Sequence, residues 1–226
     1  MGIEFKQISP TIGKYPTQSP VLMYDNMETE FSKITTGNGT DWTIARSQTH
    51  VNEGAYSLKL QTKTTTPAID DYIELTYKIP YTSNKNITVE FLCSSLVATQ
   101  NATISINITE YTGTTRNVGE MEYNLNTGLT QYKNSMGEII PTPTQPTKQQ
   151  SNAWGKFSLH VDLENKQYTN VYANNRKIPL QNTPLLQTTS TAAAIIYVTI
   201  TLLTTAATQA TTYIDNMLIH RSSEVI

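Results

Sequence analysis

Glu120 and Glu122, in the run Gly119-Glu120-Met121-Glu122-Tyr123, are the acids in this sequence best spaced for acid–base chemistry. In an extended segment an i,i+2 pair points to one face, and glycoside cleavage uses two carboxyls roughly 5 to 9.5 Å apart. Asp70, Asp71 and Glu74 read as a charged loop leading into a strand. His50, His160 and His220 stand far apart and show no metal-ligand spacing. The single cysteine, Cys93, lies in the apolar run with Val89, Phe91 and Leu92, so the chain has no internal disulfide and the thiol reads as a small buried hydrophobe. Four Asn-x-Thr sequons, at Asn38, Asn86, Asn101 and Asn107, are what a chain so rich in Asn and Thr/Ser produces by chance.

The elements that would position these residues are strands. Of 226 residues only 15% are charged and 38% are hydrophobic, with 16 Lys+Arg against 18 Asp+Glu and a net charge of -2. Thr makes up about a sixth of the chain and Asn about a twelfth; Thr favours strands and Asn favours turns. The near-neutral balance gives no broad electrostatic reason to bind nucleic acid or an anionic membrane. The most apolar stretch, Ala192 to Leu203, is too short for a spanning helix of about 20 residues and reads as a buried strand.

Alternating or β-branched runs recur at 21–24, 42–46, 55–61, 72–79, 87–93, 102–111, 121–125, 156–162, 168–173, 192–203 and 212–220, separated by turn residues. No segment longer than ten residues carries a convincing 3.6-residue period, so helices should be few. Residues 1–20, with Pro10, Pro16 and Pro20, read as an extended arm that could reach a neighbouring subunit. Residues 21–226 read as one β-sandwich domain, with a Pro-rich loop at 140–150.

Three stretches carry a resemblance. They are Asp25-Asn26-Met27-Glu28 with Asp41-Trp42-Thr43 and His50 through Leu60; Trp154 through Leu163 running to Val171-Tyr172-Ala173-Asn174-Asn175; and Thr212-Tyr213-Ile214-Asp215-Asn216-Met217-Leu218-Ile219. Together and in this order they resemble the jelly-roll sandwiches of carbohydrate-binding modules and the wider concanavalin A-like lectin and glucanase group. Asn174-Asn175 stands where that group usually has Asn-Gly, which an Asn tolerant of the left-handed conformation can replace. The resemblance implies an all-β jelly roll of two antiparallel sheets.

It also implies sites. A structural Ca2+ in many such modules takes a Glu from the opening motif, loop carbonyls before the next strand and an Asp from the closing strand, which maps onto Glu28, the backbone near Asn52 to Gly54, and Asp215. The competing reading makes Glu28 a solvated loop charge and Asp215 a satisfied strand residue. Sugar-binding faces in the group use exposed rings; Tyr72, Tyr77, Tyr111 and Tyr123 are the candidates, while Trp42 and Trp154 match positions more often buried. The related glucanases carry a third acid where this chain has Asn124 and Leu125, which argues against catalysis by Glu120 and Glu122.

Two function classes follow. The first is a non-enzymatic virion component, such as a capsid-decorating, tail or fibre protein made in a host cytoplasm, with other virion proteins or itself, as a trimer, for partners. The second is a carbohydrate-binding module acting outside the cell on polysaccharide or cell-surface glycan. Low charge, a Thr- and Asn-rich surface, one reduced cysteine and no secretory-type leader favour the first, by analogy of fold.

Overall fold

The computed structural model describes residues 21–28, 33–38, 41–79, 85–97 and 99–221. The arm expected over residues 1–20 lies outside them. The described residues form sixteen strands and no helix, and no helix among them is long and apolar enough to cross a membrane.

The strands are β1 (Val21–Asp25), β2 (Ile34–Gly37), β3 (Thr43–Ser47), β4 (Ser57–Gln61), β5 (Tyr72–Ile79), β6 (Asn86–Ser94), β7 (Ala102–Tyr111) and β8 (Thr115–Asn124), followed by β9 (Thr130–Lys133), β10 (Ile139–Pro141), β11 (Gly155–Asp162), β12 (Gln167–Ala173), β13 (Arg176–Pro184), β14 (Leu186–Thr189), β15 (Ile195–Thr204) and β16 (Thr211–Arg221). They build the expected jelly roll of two antiparallel sheets. One sheet runs β13-β12-β11-β6-β16-β4-β3 with β1 beside β16; the other runs β10-β9-β8-β7-β15-β5-β2 with β14 beside β8. We refer to these as the first and second sheets.

Alternation along each strand sends one set of side chains between the sheets. In β5 the set is Ile73, Leu75, Tyr77 and Ile79; in β7 it is Ala102, Ile104, Ile106 and Ile108; in β15 it is Ile196, Val198, Ile200 and Leu202. The first sheet answers with Val89, Phe91, Phe157, Leu159, Ile214 and Met217. Cys93 is fully buried among them, and burial pushes its thiol up to about 12. It behaves as a small hydrophobe whose Sγ lies 3.1 Å from the Thr212 hydroxyl.

With 10 Gly in the chain, left-handed turns fall to other residues. Nine described non-Gly residues have positive φ, five of them Asn. Asn174 and Asn175 (φ 46° and 68°) make the β12–β13 turn, in the conformation expected of an Asn-Gly pair.

The Pro-rich segment is held at several points. Gln145 donates to the carbonyls of Thr130 and Thr142, and Gln149 donates to the carbonyls of Cys93 and Ala153 and accepts nothing at its own buried Oε1. The Gln149 backbone N–H donates to the Tyr123 hydroxyl. A segment without large hydrophobes is thus tied down through its Gln side chains.

β16 changes partner along its length. Thr211–Ile214 pair with β4, and Met217–His220 pair with β1. At the changeover the register against β6 slips between Asp215 and Leu218, and Asn216 takes φ 51°.

Candidate functional site

The outward residues of the second sheet follow from register. One cross-strand row reads Ile195, Tyr111, Arg116 and Thr188; the next reads Lys78, Tyr197, Thr109 and Val118. A third reads Thr76, Thr199, Asn107 and Glu120, and a fourth Thr36, Glu74, Thr201, Ser105, Glu122 and Gln131. These rows carry a groove with a volume of about 300 Å³, whose chemistry comes from Glu74, Asn107, Tyr111, Arg116, Glu120 and Tyr197.

Most of the groove's side chains are already engaged. Glu120 Oε2 accepts from Asn107 Nδ2 (3.2 Å) and forms an ion pair with Lys133. Glu74 accepts from the hydroxyls of Thr36 (3.2 Å) and Thr201 (3.4 Å), and the hydroxyls of Thr76 and Thr199 meet at 3.0 Å. The Tyr111 and Tyr197 rings stand edge to face, 6.0 Å apart and inclined at 88°. Arg116 differs: its Nε is buried without a hydrogen-bond partner, and its side chain forms no ion pair with the described residues.

Of the four tyrosines expected to bind sugar, Tyr111 lines the groove and Tyr72 lies half-buried on the same sheet face, at the far end of β5. Tyr77 and Tyr123 are corrected to core residues, 1% and 0% exposed. Each falls on the inward phase of its strand; the Tyr77 hydroxyl donates to Asp25 Oδ2 (3.3 Å) and the Tyr123 hydroxyl to the Thr147 carbonyl (3.4 Å). Trp42 packs against the core, and Trp154 stacks on His50 with centroids 4.9 Å apart.

Glu120 and Glu122 do share a face, but only Glu120 lines the groove. Burial, and then the charge of Glu120, push the Glu122 carboxyl above its usual range. Glu74 belongs to β5 and not to a loop. Tyr197 and Arg116 were not among the expected residues. Tyr197 sits in the run read as a buried strand, where its alternation with Ile196 and Val198 marks two faces. Arg116 lies in the first half of β8, which begins six residues before the expected strand at Met121.

Glu28 and Asp215 do converge, on the loop that precedes β4. Asp215 Oδ2 accepts the backbone N–H groups of Asn52 (3.1 Å) and Glu53 (3.2 Å), and Glu28 Oε1 accepts those of Ala55 (2.8 Å) and Tyr56 (3.0 Å). Between them Gly54 has φ +78°, and a Cβ there would lie 2.3 Å from Glu28 Oε1. Asp215 fills the break where β16 exchanges β4 for β1. Burial, reinforced by the charge of Glu28, raises its carboxyl to about 6 against the pull of three amides. Two neighbouring carboxylates whose partners are amides suit a hard cation in charge. In number they fall short, since no group of three or more Asp, Glu, His or Cys among the described residues could hold a metal.

The outward face of the first sheet is closed. Glu90 (6% exposed) accepts from His220 Nε2 at 3.2 Å and pairs with Lys156, contacts that hold it at about 2 despite burial. His160 Nδ1 meets the Thr88 hydroxyl at 3.2 Å, and burial pushes its imidazole down to about 4. Ser158 Oγ, His160 Nε2 and Asn170 Oδ1 are buried without partners beside them.

No protein-family model and no curated protein matches the sequence. Solved structures match the fold. A carbohydrate esterase from Shiga toxin-encoding bacteriophage phi24B aligns with TM-score 0.58 and 14% identity over 91% of this chain and 100% of that one. The cellulose induced protein Cip1 aligns with TM-score 0.57 and 12% identity over 87% and 96%. A Bacillus subtilis protein with a galectin-like fold aligns with TM-score 0.52 and 10% identity over 89% and 96%. At these identities the likeness is one of fold: the chain is a jelly-roll β-sandwich.

Proposed function

We propose that this chain is a glycan-binding module without catalytic activity, whose ligand lies across the outward face of the second sheet. The observation that carries the reading is the groove, where register gathers two tyrosine rings, an arginine, two glutamates and a row of Thr, Ser and Asn side chains. Rings beside dense, oriented hydrogen-bonding groups are the complement of a sugar, which has apolar C–H faces and a hydroxyl rim. Binding is favoured over cleavage because Glu120, the pair member in the groove, is already engaged by Lys133 and Asn107, and Glu122 stands outside the lining. Affinity electrophoresis through gels loaded with plant and bacterial polysaccharides tests this. Retardation by at least one is expected, with about a tenfold loss of affinity for Tyr111→Ala or Tyr197→Ala. Retardation that both variants retain would move the ligand to another face.

Within the same proposal, one structural Ca2+ sits between Glu28 and Asp215, completed by backbone oxygens near Asn52 to Gly54. The positive φ of Met27 (62°) beside these acids supports it, since such strain gathers where a ligand over-determines the backbone. Deployment on a virion is a second reading, favoured by the likeness to a phage protein over nearly the whole of both chains. Light scattering and thermal melts with and without EDTA address both. Calcium predicts a Tm that falls by several degrees in EDTA and recovers with added Ca2+. A stable trimer supports assembly on a particle, and a monomer supports a free-standing module.

A further inference from the structure

We infer that the groove selects glycans bearing a carboxylate, with Arg116 as the residue that receives it. This rests on the groove being a glycan site and goes beyond it in naming the substrate class. Each acid of the lining has its partners: Glu120 has Lys133 and Asn107, and Glu74 has Thr36 and Thr201. The Arg116 side chain forms no ion pair with the described residues, and its Nε is buried without a hydrogen-bond partner. A guanidinium so placed wants a planar, bidentate anion, and a carboxylate presents two oxygens at matching spacing.

The surroundings agree. Tyr111 is directly opposite Arg116 across the β7–β8 ladder, and Tyr197 stands one row further along on β15. A sugar ring laid on these tyrosines would hold its carboxylate over Arg116. The groove's acids do not oppose this. Glu120 is four residues along β8, about 14 Å away at the strand rise, and Glu74 is farther still. That spacing exceeds the Debye length of about 8 Å at physiological salt, so repulsion from these acids is screened. The groove is therefore cationic at the tyrosine end and acidic, but already paired, at the other.

The test measures calorimetric affinities for uronate- and sialate-bearing oligosaccharides, each paired with its carboxyl-reduced, neutral form and with a sulfated analogue. The expected result is at least tenfold tighter binding of a carboxylated member than of its reduced form. Arg116→Gln should cut the carboxylated affinity 10- to 100-fold and the neutral affinity less than threefold, and Arg116→Lys should recover only part. Equal binding of acidic and reduced forms, or equal losses for both in Arg116→Gln, overturns the inference and leaves the glycan reading standing. Preference for the sulfated analogue overturns carboxylate selectivity. No binding of any member, acidic or neutral, overturns both. Arg116→Gln should melt within a degree or two of the parent, so a lost affinity reports the contact and not the fold.

Discussion

The two sheets turn polar faces outward and use them in opposite ways. On the second sheet, Asn107, Glu120, Thr199 and Glu74 stay partly open along a groove, and Arg116 keeps its charge unpartnered. On the first sheet, Thr88, Glu90, Ser158, Asn170 and His220 are each less than 9% exposed, and the central acid, Glu90, is claimed by Lys156 and His220. The second sheet has the alternating burial of a sheet exposed on one side, whereas β6 and β16 at the centre of the first sheet are buried on both faces. The difference lies in the charges: on the closed face Glu90 is paired with Lys156 and His220, although Ser158 Oγ, His160 Nε2 and Asn170 Oδ1 are buried there without partners, and on the open face the Arg116 side chain has no ion pair among the described residues. A cluster of ionisable residues is informative about function only once its internal pairs have been subtracted.

The comparison breaks most visibly at Glu90. Its replacement by Gln strips Lys156 and His220 of their shared anion. Breaking a buried pair costs about 3 to 5 kcal/mol, and the third of Lys156 that reaches solvent lowers this to about 2 to 3 kcal/mol. Roughly 5 to 10 °C of Tm should be lost by calorimetry. Glu74→Gln on the open face, where the partners are two long hydroxyl contacts, should cost under about 0.5 kcal/mol. Equal losses at the two positions would erase the distinction.

Acid titration sharpens it. His160, depressed from 6.5 to about 4, leaves the unfolded chain binding more protons in that window, so its contribution is lost as pH falls from 6.5 to 4. Asp215, raised from 3.8 to about 6, works in the opposite sense: the folded chain binds more protons between 3.8 and 6, and stability rises as pH falls. The two offset each other through that range. Below it Glu90, lowered from 4.5 to about 2, loses a contribution of roughly 3 kcal/mol as pH falls through its folded value. Urea melts in EDTA should therefore show a shallow profile from pH 6.5 to 4 and a steep loss below it. Asp215→Asn should uncover the slope due to His160, and a profile unchanged by that substitution would contradict the assignment.

Much of this architecture was legible in the sequence, because strand periodicity survives in residues such as Tyr72–Ile79 and Ala102–Tyr111, where both ends of the strand were visible. The convergence of Glu28 and Asp215 on one loop was also legible, through the resemblance. The groove was not. Strands of three or four residues such as β2, β9, β10 and β14 are too short to show an alternation. The phase of a tyrosine is decided by which neighbours face the core: Tyr77 and Tyr123 alternate with Glu, Thr, Lys or Asn that must face water, so their own inward position follows from the polarity beside them. Tyr197 alternates with Ile196 and Val198 and is thereby pushed outward. Reading the neighbours' polarity would have separated these three. Arg116 carries no local signal, since its significance is the lack of an acid across the ladder.

The exchange of partners along β16 also bears on how the chain matures during synthesis. β16 separates the β13-β12-β11-β6 half of the first sheet from β4 and β3, and it is the strand on which β1 docks. Until Thr211–Arg221 has emerged from the ribosome, the first sheet is two unjoined fragments, and Val21–Asp25 waits for partners almost 200 residues away. Closure therefore waits for β16 and is limited by non-local pairing. A nascent chain stalled before β16 would leave one edge of β6 unpaired and open to pairing with another chain.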